Sequence, residues 1–418
     1  MIKLIEKIEG EAKLDFKFQE GKIEGVSVDF MSTRHIEDIL RNKPAMDALV
    51  INPRVCGICG HAHLIATVQA LEACYAKIEI PQKARIIREL TLNFELIQNH
   101  FKWFYLTILP FFEKKQDVTK ALYPTRLMGK AIAVLGGQYP HTSYALVGGV
   151  ACEVTTMDIV QIERYLDEVL EFFQNTLLNI DENSIPTFDA KRLFASKGDL
   201  VEVLKKIEKN GWMDYGKSYD RFICFGENSL FKRGKSYHKR LHVNISIDQV
   251  HEKQIATSFA KSVYFNNKHY EVGPLARAIV NKDPLIKSLH NLYGDSIVSR
   301  ITARVYETAT LLLHSKKLLR QVDLNQPSYI KPKLDIAMLS GEGASAVEAA
   351  RGSLIHKVKI EEGLIKKYEI ITPTQWNLCG EEDHRHGVSQ QAMIGLEDIT
   401  TAEMVFKTFD VCSVCTTH

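Results

Sequence analysis

The 418-residue chain has no apolar run of the roughly 18 residues that a membrane-spanning helix needs. It also lacks an excess of either charge: 53 Lys and Arg stand against 51 Asp and Glu, a formal net charge of +2. That balance gives no electrostatic case for nucleic acid or for a membrane surface as partner. The first residues, Met1-Ile-Lys-Leu-Ile-Glu-Lys, are too charged for a signal peptide. Eight cysteines in a chain of this length are too sparse for a disulfide scaffold. A reducing, cytoplasmic compartment is therefore expected, with export or membrane association only through a partner subunit. There is no internal repeat, low-complexity tract or flexible linker, so residues 1–418 are expected to form a single compact unit. What is present, 45% hydrophobic and 25% charged residues, describes a globular protein with a full core.

The apolar pattern begins with alternation. Residues 1–30 read as a short antiparallel hairpin with Gly21 and Gly25 as turn points and Ile23, Val26, Val28 and Phe30 on the later strand. From Ile36 the period becomes helical, broken at Pro44 and near Pro53. Long helices are expected over 62–76, over 83–109 with an end at Pro110, over 157–178 and over 284–322. Four such helices favour a bundle-like core. The expected fold is mainly α with small β elements (α+β), a long-helix bundle with an N-terminal hairpin. Residues 182–270 mix short strand-like runs with many charges and are expected as a peripheral insertion. Gly341-Glu-Gly-Ala-Ser-Ala346 fits G-x-G-x-x-A, but no βαβ pattern surrounds it. It is read as a turn leading toward Arg351, after a strand-like run over 334–339.

The informative feature is a matched pair of motifs. Cys56-Gly-Ile-Cys59 is followed by His63, and Cys412-Ser-Val-Cys415 by His418, the final residue. Two intervening residues let both sulfurs of one turn reach a single metal, and thiolates bind soft metals as anions. Spacing alone would equally suit structural zinc. Zinc knuckles, however, lie tens of residues apart and organise small domains, whereas this chain has ample core. Each pair also carries an extra histidine, more donors than a tetrahedral site uses. A sequence that stops at His418, beside the metal, suggests proteolytic processing or a natural lack of any extension.

With Arg54 before it and His63 after it, the first pair gives Arg-x-Cys-Gly-x-Cys-x-x-x-His; the second gives Asp410-Val-Cys412-x-x-Cys415-x-x-His418. Between them stand Ile8-Glu9-Gly10, Gly136-Gly137 through Pro140-His141, Glu271-Val-Gly-Pro-Leu-Ala-Arg277, Ala350-Arg351-Gly352 and Thr374-Gln-Trp-Asn377. In these segments, taken in order, the chain resembles the large, catalytic subunit of nickel–iron hydrogenases over essentially its whole length.

The resemblance implies that Cys56, Cys59, Cys412 and Cys415 bind nickel, with Cys59 and Cys415 bridging to an iron that carries carbon monoxide and two cyanides. Cys412, a terminal thiolate, would serve as base in the heterolytic cleavage of dihydrogen, and Glu9 would relay the proton. Arg351 would contact a cyanide, a role suited to a planar donor that stays charged. His63 would donate to a bridging sulfur. Glu37, His418 and the backbone carbonyl of Leu378 would hold a magnesium-type cation. His61 falls outside the motif and is expected to have no role. The remaining cysteines, Cys74, Cys152, Cys224 and Cys379, stand singly and form no local iron–sulfur motif. Electrons would therefore leave through a separate iron–sulfur small subunit. A maturation endopeptidase and nickel chaperones are also implied.

Three positions depart from the family pattern: Val411 and Ala350 replace prolines, and Asn99 replaces an aspartate near the arginine. A hydrogen-sensing regulatory subunit on the same site is the alternative reading. A zinc or cluster scaffold that has lost catalysis is a third, and retention of all four cysteines with Glu9, Arg351 and His418 counts against it.

Overall fold

The computed structural model describes residues 2–8, 10–30, 33–113, 117–226, 228–231, 234–255, 258–378 and 386–412, with side chains from Ala12 onward except that of Pro186. The first element is an antiparallel meander of three strands, β1 (Ile2–Ile8), β2 (Gly10–Gln19) and β3 (Lys22–Asp29), in the order β1-β2-β3. One strand more than the expected hairpin is present. Of the two glycines read as turn points only Gly21 turns the chain, beside Glu20, both with positive φ. Gly25 lies within β3, where the pairing register slips between Lys17 and Phe18. Alternation buries Ala12, Leu14 and Phe16 on one strand and Val26 and Val28 on the next.

The helical core holds α1 (Gly60–Ala73), α2 (Gln82–Trp103), α3 (Val118–Gly136), α4 (Thr156–Phe172), α5 (Pro284–Tyr293) and α6 (Ile297–Leu319). Pro110 does not end α2. The helix widens into a π-turn over Phe104–Ile108, and Pro110 sits at the start of the next turn, Leu109–Phe112, where its missing N–H costs nothing. The helix expected over 284–322 is two, split at Gly294 (φ 70), with Ser296 capping α6 through the Ser299 N–H. α3 escaped the periodicity reading because Pro124 interrupts its sequence but not its course.

A later meander packs near the helices: β4 (Gly341–Ala349), β5 (Gly352–Glu361) and β6 (Leu364–Ile371), in the order β4-β5-β6. The G-x-G-x-x-A segment is thus the body of β4, not a turn, and Ile336–Met338 before it is a single 3-10 turn rather than a strand. Its glycines let the strand lie on α1: a Cβ on Gly343 would stand 2.2 Å from the Ala70 carbonyl oxygen. Residues 182–270 do mix short helices and strands. From them Phe225, Val250, Val263 and Phe265 join Ile355, Ile371 and Trp376 in one buried cluster.

The chain ends are drawn together by backbone and side-chain bonds. Ile23 N donates to Leu396 O at 2.8 Å, Gly395 N returns to Ile23 O at 2.8 Å, and Gln390 Nε2 donates to Val26 O at 2.7 Å. The last helix, α7 (Ile399–Thr408), is held to α2 by Trp103 Nε1, which donates to Lys407 O at 2.9 Å. Residues 410–412 are thereby delivered to the start of α1.

Candidate metal centre

The first cysteine pair sits in the loop that becomes α1, with Cys59 as the residue just before the helix. Gly60 is required there, since a Cβ would come within 2.3 Å of the Pro53 carbonyl oxygen. Two side chains of α2 clamp this loop. Glu95 accepts from the first-turn amides of α1, His61 N at 2.8 Å and Ala62 N at 3.0 Å. Asn99 Nδ2 donates to Ile58 O at 2.9 Å. Burial pushes the Glu95 carboxyl up to about 8 against the opposing pull of those two amides. At an ordinary helix start a carboxylate would be favoured by both the amides and the helix dipole, so burial is the larger effect here.

From the other end of the chain comes Cys412, whose sulfur lies 3.6 Å from that of Cys56, 356 positions away in sequence. The sulfurs of Cys56, Cys59 and Cys412 all fall within 4.8 Å of one another, and all three residues are buried. A separation of 3.6 Å is far beyond the roughly 2.05 Å of a disulfide. It matches the spacing of about 3.8 Å between sulfurs held at roughly 2.3 Å around a common tetrahedral ion.

Arg351 occupies the two-residue tip between β4 and β5, where Ala349 pairs with Gly352. Its guanidinium is aimed by the segment that precedes Cys412: Nε donates to Asp410 O at 2.9 Å and Nη2 to Asp410 Oδ1 at 3.2 Å. Asp410 Oδ2 accepts from Arg304 Nη1 at 2.9 Å. Burial works against the charge on Arg351. Asp410, followed by Cys412, Cys59 and Cys56, nonetheless holds it well above the usual arginine value. Nη1 of Arg351 is buried and has no hydrogen-bond partner among the described residues. A buried orphan donor on a fixed cation, beside three sulfurs, is accounted for by an anionic ligand that belongs to the site. The donor set therefore fits a thiophilic metal carrying such a ligand.

His63 lines one small cavity with Cys59 and Arg351, and its Nδ1 lies 3.1 Å from His356 Nε2. His61 points elsewhere, to the hydroxyl of Tyr144 at 3.2 Å, and burial lowers it to about 3. Glu37 stands apart from the sulfurs in the short helix Ile36–Leu40: Oε1 accepts from Ile370 N at 2.7 Å and Oε2 from Lys261 Nζ at 3.1 Å. Lys261 also approaches Glu252 at 3.7 Å. Hard oxygen donors are thus present, and any divalent cation beside Glu37 shares them with an ammonium. Leu378 is buried at the end of the helix Pro373–Asn377. Glu9, Cys415 and His418 lie outside the described residues, as does Cys379. A cavity of about 1110 Å³, lined by Glu72, Tyr75, Arg88, Asp248 and Glu348 among others, does not touch Cys56, Cys59 or Cys412.

Sequence reasoning passed over Glu95, Arg304 and His356. Asp410 was visible only as a letter of the C-terminal motif, without its clamping role. Glu95 and Arg304 carry no spacing signal, since each acts from the buried face of a long helix on a segment remote in sequence. His356 sits among alternating residues of β5 that look like ordinary strand.

Residues 34–122 and 225–418 match the model of a family described as nickel-dependent hydrogenase. The periplasmic [NiFeSe] hydrogenase large subunit of Desulfomicrobium baculatum is 27% identical, over 93% of this chain and 88% of its own length. The sulfhydrogenase 1 subunit alpha of Pyrococcus furiosus is 24% identical, over 99% of this chain and 96% of its own. In fold, the chain superposes on the Ni-Fe-Se hydrogenase of D. vulgaris Hildenborough with a TM-score of 0.87, at 23% identity and full coverage of both chains. Among the described residues no helix is long and apolar enough to cross a membrane.

Proposed function

The chain belongs to the nickel-dependent hydrogenase family, and from that premise we propose how its own residues carry the reaction. It is a hydrogenase large subunit, the catalytic one, and such a subunit works with a smaller partner. In our reading Cys56, Cys59, Cys412 and Cys415 would hold a nickel–iron centre, Cys59 and Cys415 serving both metals, and carbon monoxide and two cyanides would complete the iron. The observation that carries this is the convergence of three buried sulfurs from the two ends of the chain beside the unpartnered Nη1 of Arg351. This chain has cysteine at all four positions, whereas the names of several relatives include selenium.

When bound, the centre would supply the chemistry of heterolytic dihydrogen cleavage. Around it, the Cys412 thiolate accepts the proton, being an anion in a site from which bulk water is excluded. Glu9 takes that proton onward toward solvent. Arg351, fixed through Nε and Nη2 by Asp410, offers Nη1 to a cyanide and so orients the metal ligands without a change in its own charge. His63 donates to a bridging sulfur and lowers its basicity. Electrons pass to an iron–sulfur small subunit. Glu37, the Leu378 carbonyl and His418 would hold a magnesium ion. A maturation endopeptidase and nickel chaperones assemble the site, and residues 1–418 act as one unit. The named relatives are hydrogenases, which favours turnover over sensing.

Metal analysis with infrared spectroscopy in the carbonyl and cyanide region tests the assignment. One nickel and one iron per chain, with one carbonyl and two cyanide bands, are expected; zinc alone would overturn it. Cys412→Ser is expected to abolish hydrogen-dependent dye reduction, and full activity in that variant would remove the nickel assignment.

A further inference from the structure

The tip that carries Arg351 is held from behind by two arginines. Arg277, in the short helix Pro274–Val280, donates through Nη1 to Ala349 O at 2.9 Å and through Nη2 to Ala350 O at 3.4 Å. Arg304, on α6, donates through Nη1 to Ala350 O at 3.2 Å as well as to Asp410 Oδ2 at 2.9 Å. It therefore holds both the residue before Arg351 and the carboxylate that aims Arg351. Both arginines are buried, but they are not equally compensated. Arg277 pairs with two carboxylates, Glu307 at 2.6 Å and Glu348 at 3.1 Å. Among the described residues Arg304 pairs with Asp410 alone, and Asp410 is shared with Arg351. Burial brings the Arg304 guanidinium down to about 10; Asp410 opposes the fall, while Arg351 and Arg277 add to it.

His100 of α2 fills the gap between these two arginine sites, and it too is buried. Its Nδ1 lies 3.3 Å from Arg304 Nη1 and its Nε2 2.9 Å from Glu307 Oε1. Each neighbour has one fixed role. A guanidinium has only donors, so Nδ1 accepts. Glu307, brought by Arg277 to about 2 against its own burial, is an ionised carboxylate with only acceptors, so Nε2 carries the proton. Burial, with Arg304 and Arg277 adding to it, lowers the imidazole to about 4 against the pull of Glu307, which leaves the ring neutral at pH 7.

We infer that His100 is a positioning residue: as a neutral imidazole with its proton on Nε2, it braces Arg304 against the Glu307–Arg277 pair and through Arg304 fixes the aim of Arg351. The choice of side chain follows from the charges around it. Arg277, Arg304 and Arg351 are already matched by Glu307, Glu348 and Asp410. A cation at position 100 would add a positive charge with no counter-charge, and a carboxylate there would stand against Glu307. A group with a donor on one edge, an acceptor on the other and no charge satisfies both neighbours. The proton placement stands on these contacts; the consequence for the metal's anionic ligand rests on the reading of Arg351 as its partner.

Two measurements on the full chain, purified without metal, read the brace directly. Histidine ¹⁵N NMR is expected to show His100 neutral with its proton on Nε2 at pH 7; an Nδ1–H or doubly protonated ring would overturn the inference. The Nε–H of Arg351, bound to the Asp410 carbonyl, is expected to exchange with solvent about tenfold faster in His100→Leu than in the wild type, since local opening is easier without the brace. In His100→Gln, which keeps a donor and an acceptor without charge, most of that protection is expected to return. Unchanged exchange in His100→Leu, or equally fast exchange in His100→Gln, would overturn the inference. The wild-type tautomer decides the matter even if His100→Leu does not fold. In metal-loaded protein His100→Leu is expected to shift both cyanide bands while one nickel and one iron per chain remain. Unshifted bands in a chain whose Arg351 exchange has risen would break the link to the metal ligand. A chain that binds no nickel would sink the functional reading and leave the two metal-free measurements to stand on their own.

Discussion

At the scale of single residues, Asp410 joins two arginines, Arg304 and Arg351, to the segment that carries Cys412. Removing its charge leaves two buried guanidinium groups under-compensated, a loss of about 3–5 kcal/mol by the usual cost of breaking a buried pair. Asp410→Asn is therefore expected to lower the urea midpoint clearly, and a variant as stable as the wild type would mean that the two arginines find other partners. Glu307 is the complementary case. Burial alone would raise it, but Arg277, donating at 2.8 and 2.6 Å, together with His100, brings it down to about 2. A carboxyl lowered in the fold contributes stability above its ordinary value of 4.5, and that stability is lost as pH falls toward 2. The gap between wild type and Glu307→Gln is expected to be on the order of 3 kcal/mol at pH 7 and to close in acid. A gap of constant size from pH 7 to pH 3 would refute this. Individual residues were legible in the sequence where a motif fixed them, as with Cys56, Cys59, Cys412 and Arg351. Glu95 and His356 were not, because what makes them matter is a partner in another element, and one-dimensional spacing records only neighbours along a single helix or strand.

At the scale of elements, α1 is the platform, since it starts directly after Cys59, carries His63 and Thr67, and is overlaid by β4. The overlay depends on Gly343, where an added Cβ would collide with the Ala70 carbonyl oxygen and with the backbone and sulfur of Cys74. Gly343→Ala is expected to cost about 1–3 kcal/mol, the usual range for an overfilled core, and to weaken metal retention along with stability. Thermal unfolding and metal content would show this; wild-type values for both would mean that the strand moves away without consequence. The sequence conveyed the long helices well because apolar residues at helical spacing persist over many turns in α2 and α4. It misled at Pro110 and Pro124, where a proline at the start of a turn, or tolerated within a helix, leaves the course of the chain intact. It misled again at β4, where glycines that serve close packing imitate a phosphate-binding turn. Strand identity there comes from nine consecutive cross-strand pairs with β5, from Gly341↔Ile360 to Ala349↔Gly352, which no local pattern reveals.

At the scale of the whole molecule, the site exists only when both ends are in place, through β3 against the segment 390–396 and through α7 against α2. An ion bound by sulfurs from both ends therefore ties folding to loading, because it binds the folded chain and not the unfolded one. Metal-loaded protein is expected to unfold at a higher temperature than the metal-free chain, by several degrees in calorimetry, and coincident transitions would mean that the ends close equally well without the ion. The α+β architecture was legible from composition and periodicity together, while the pairing of the ends was legible only as a requirement of the two cysteine motifs.

The 356 positions between Cys56 and Cys412 also set a clock on the ribosome. At about 5–20 residues per second, the first pair waits roughly 20 to 70 s for its counterpart to be synthesised. For that interval Cys56 and Cys59 are an incomplete chelate, open to oxidants and to any thiophilic ion in the cell. The order in which a nascent chain meets metals, and not only the affinity of the finished site, then decides which metal it keeps.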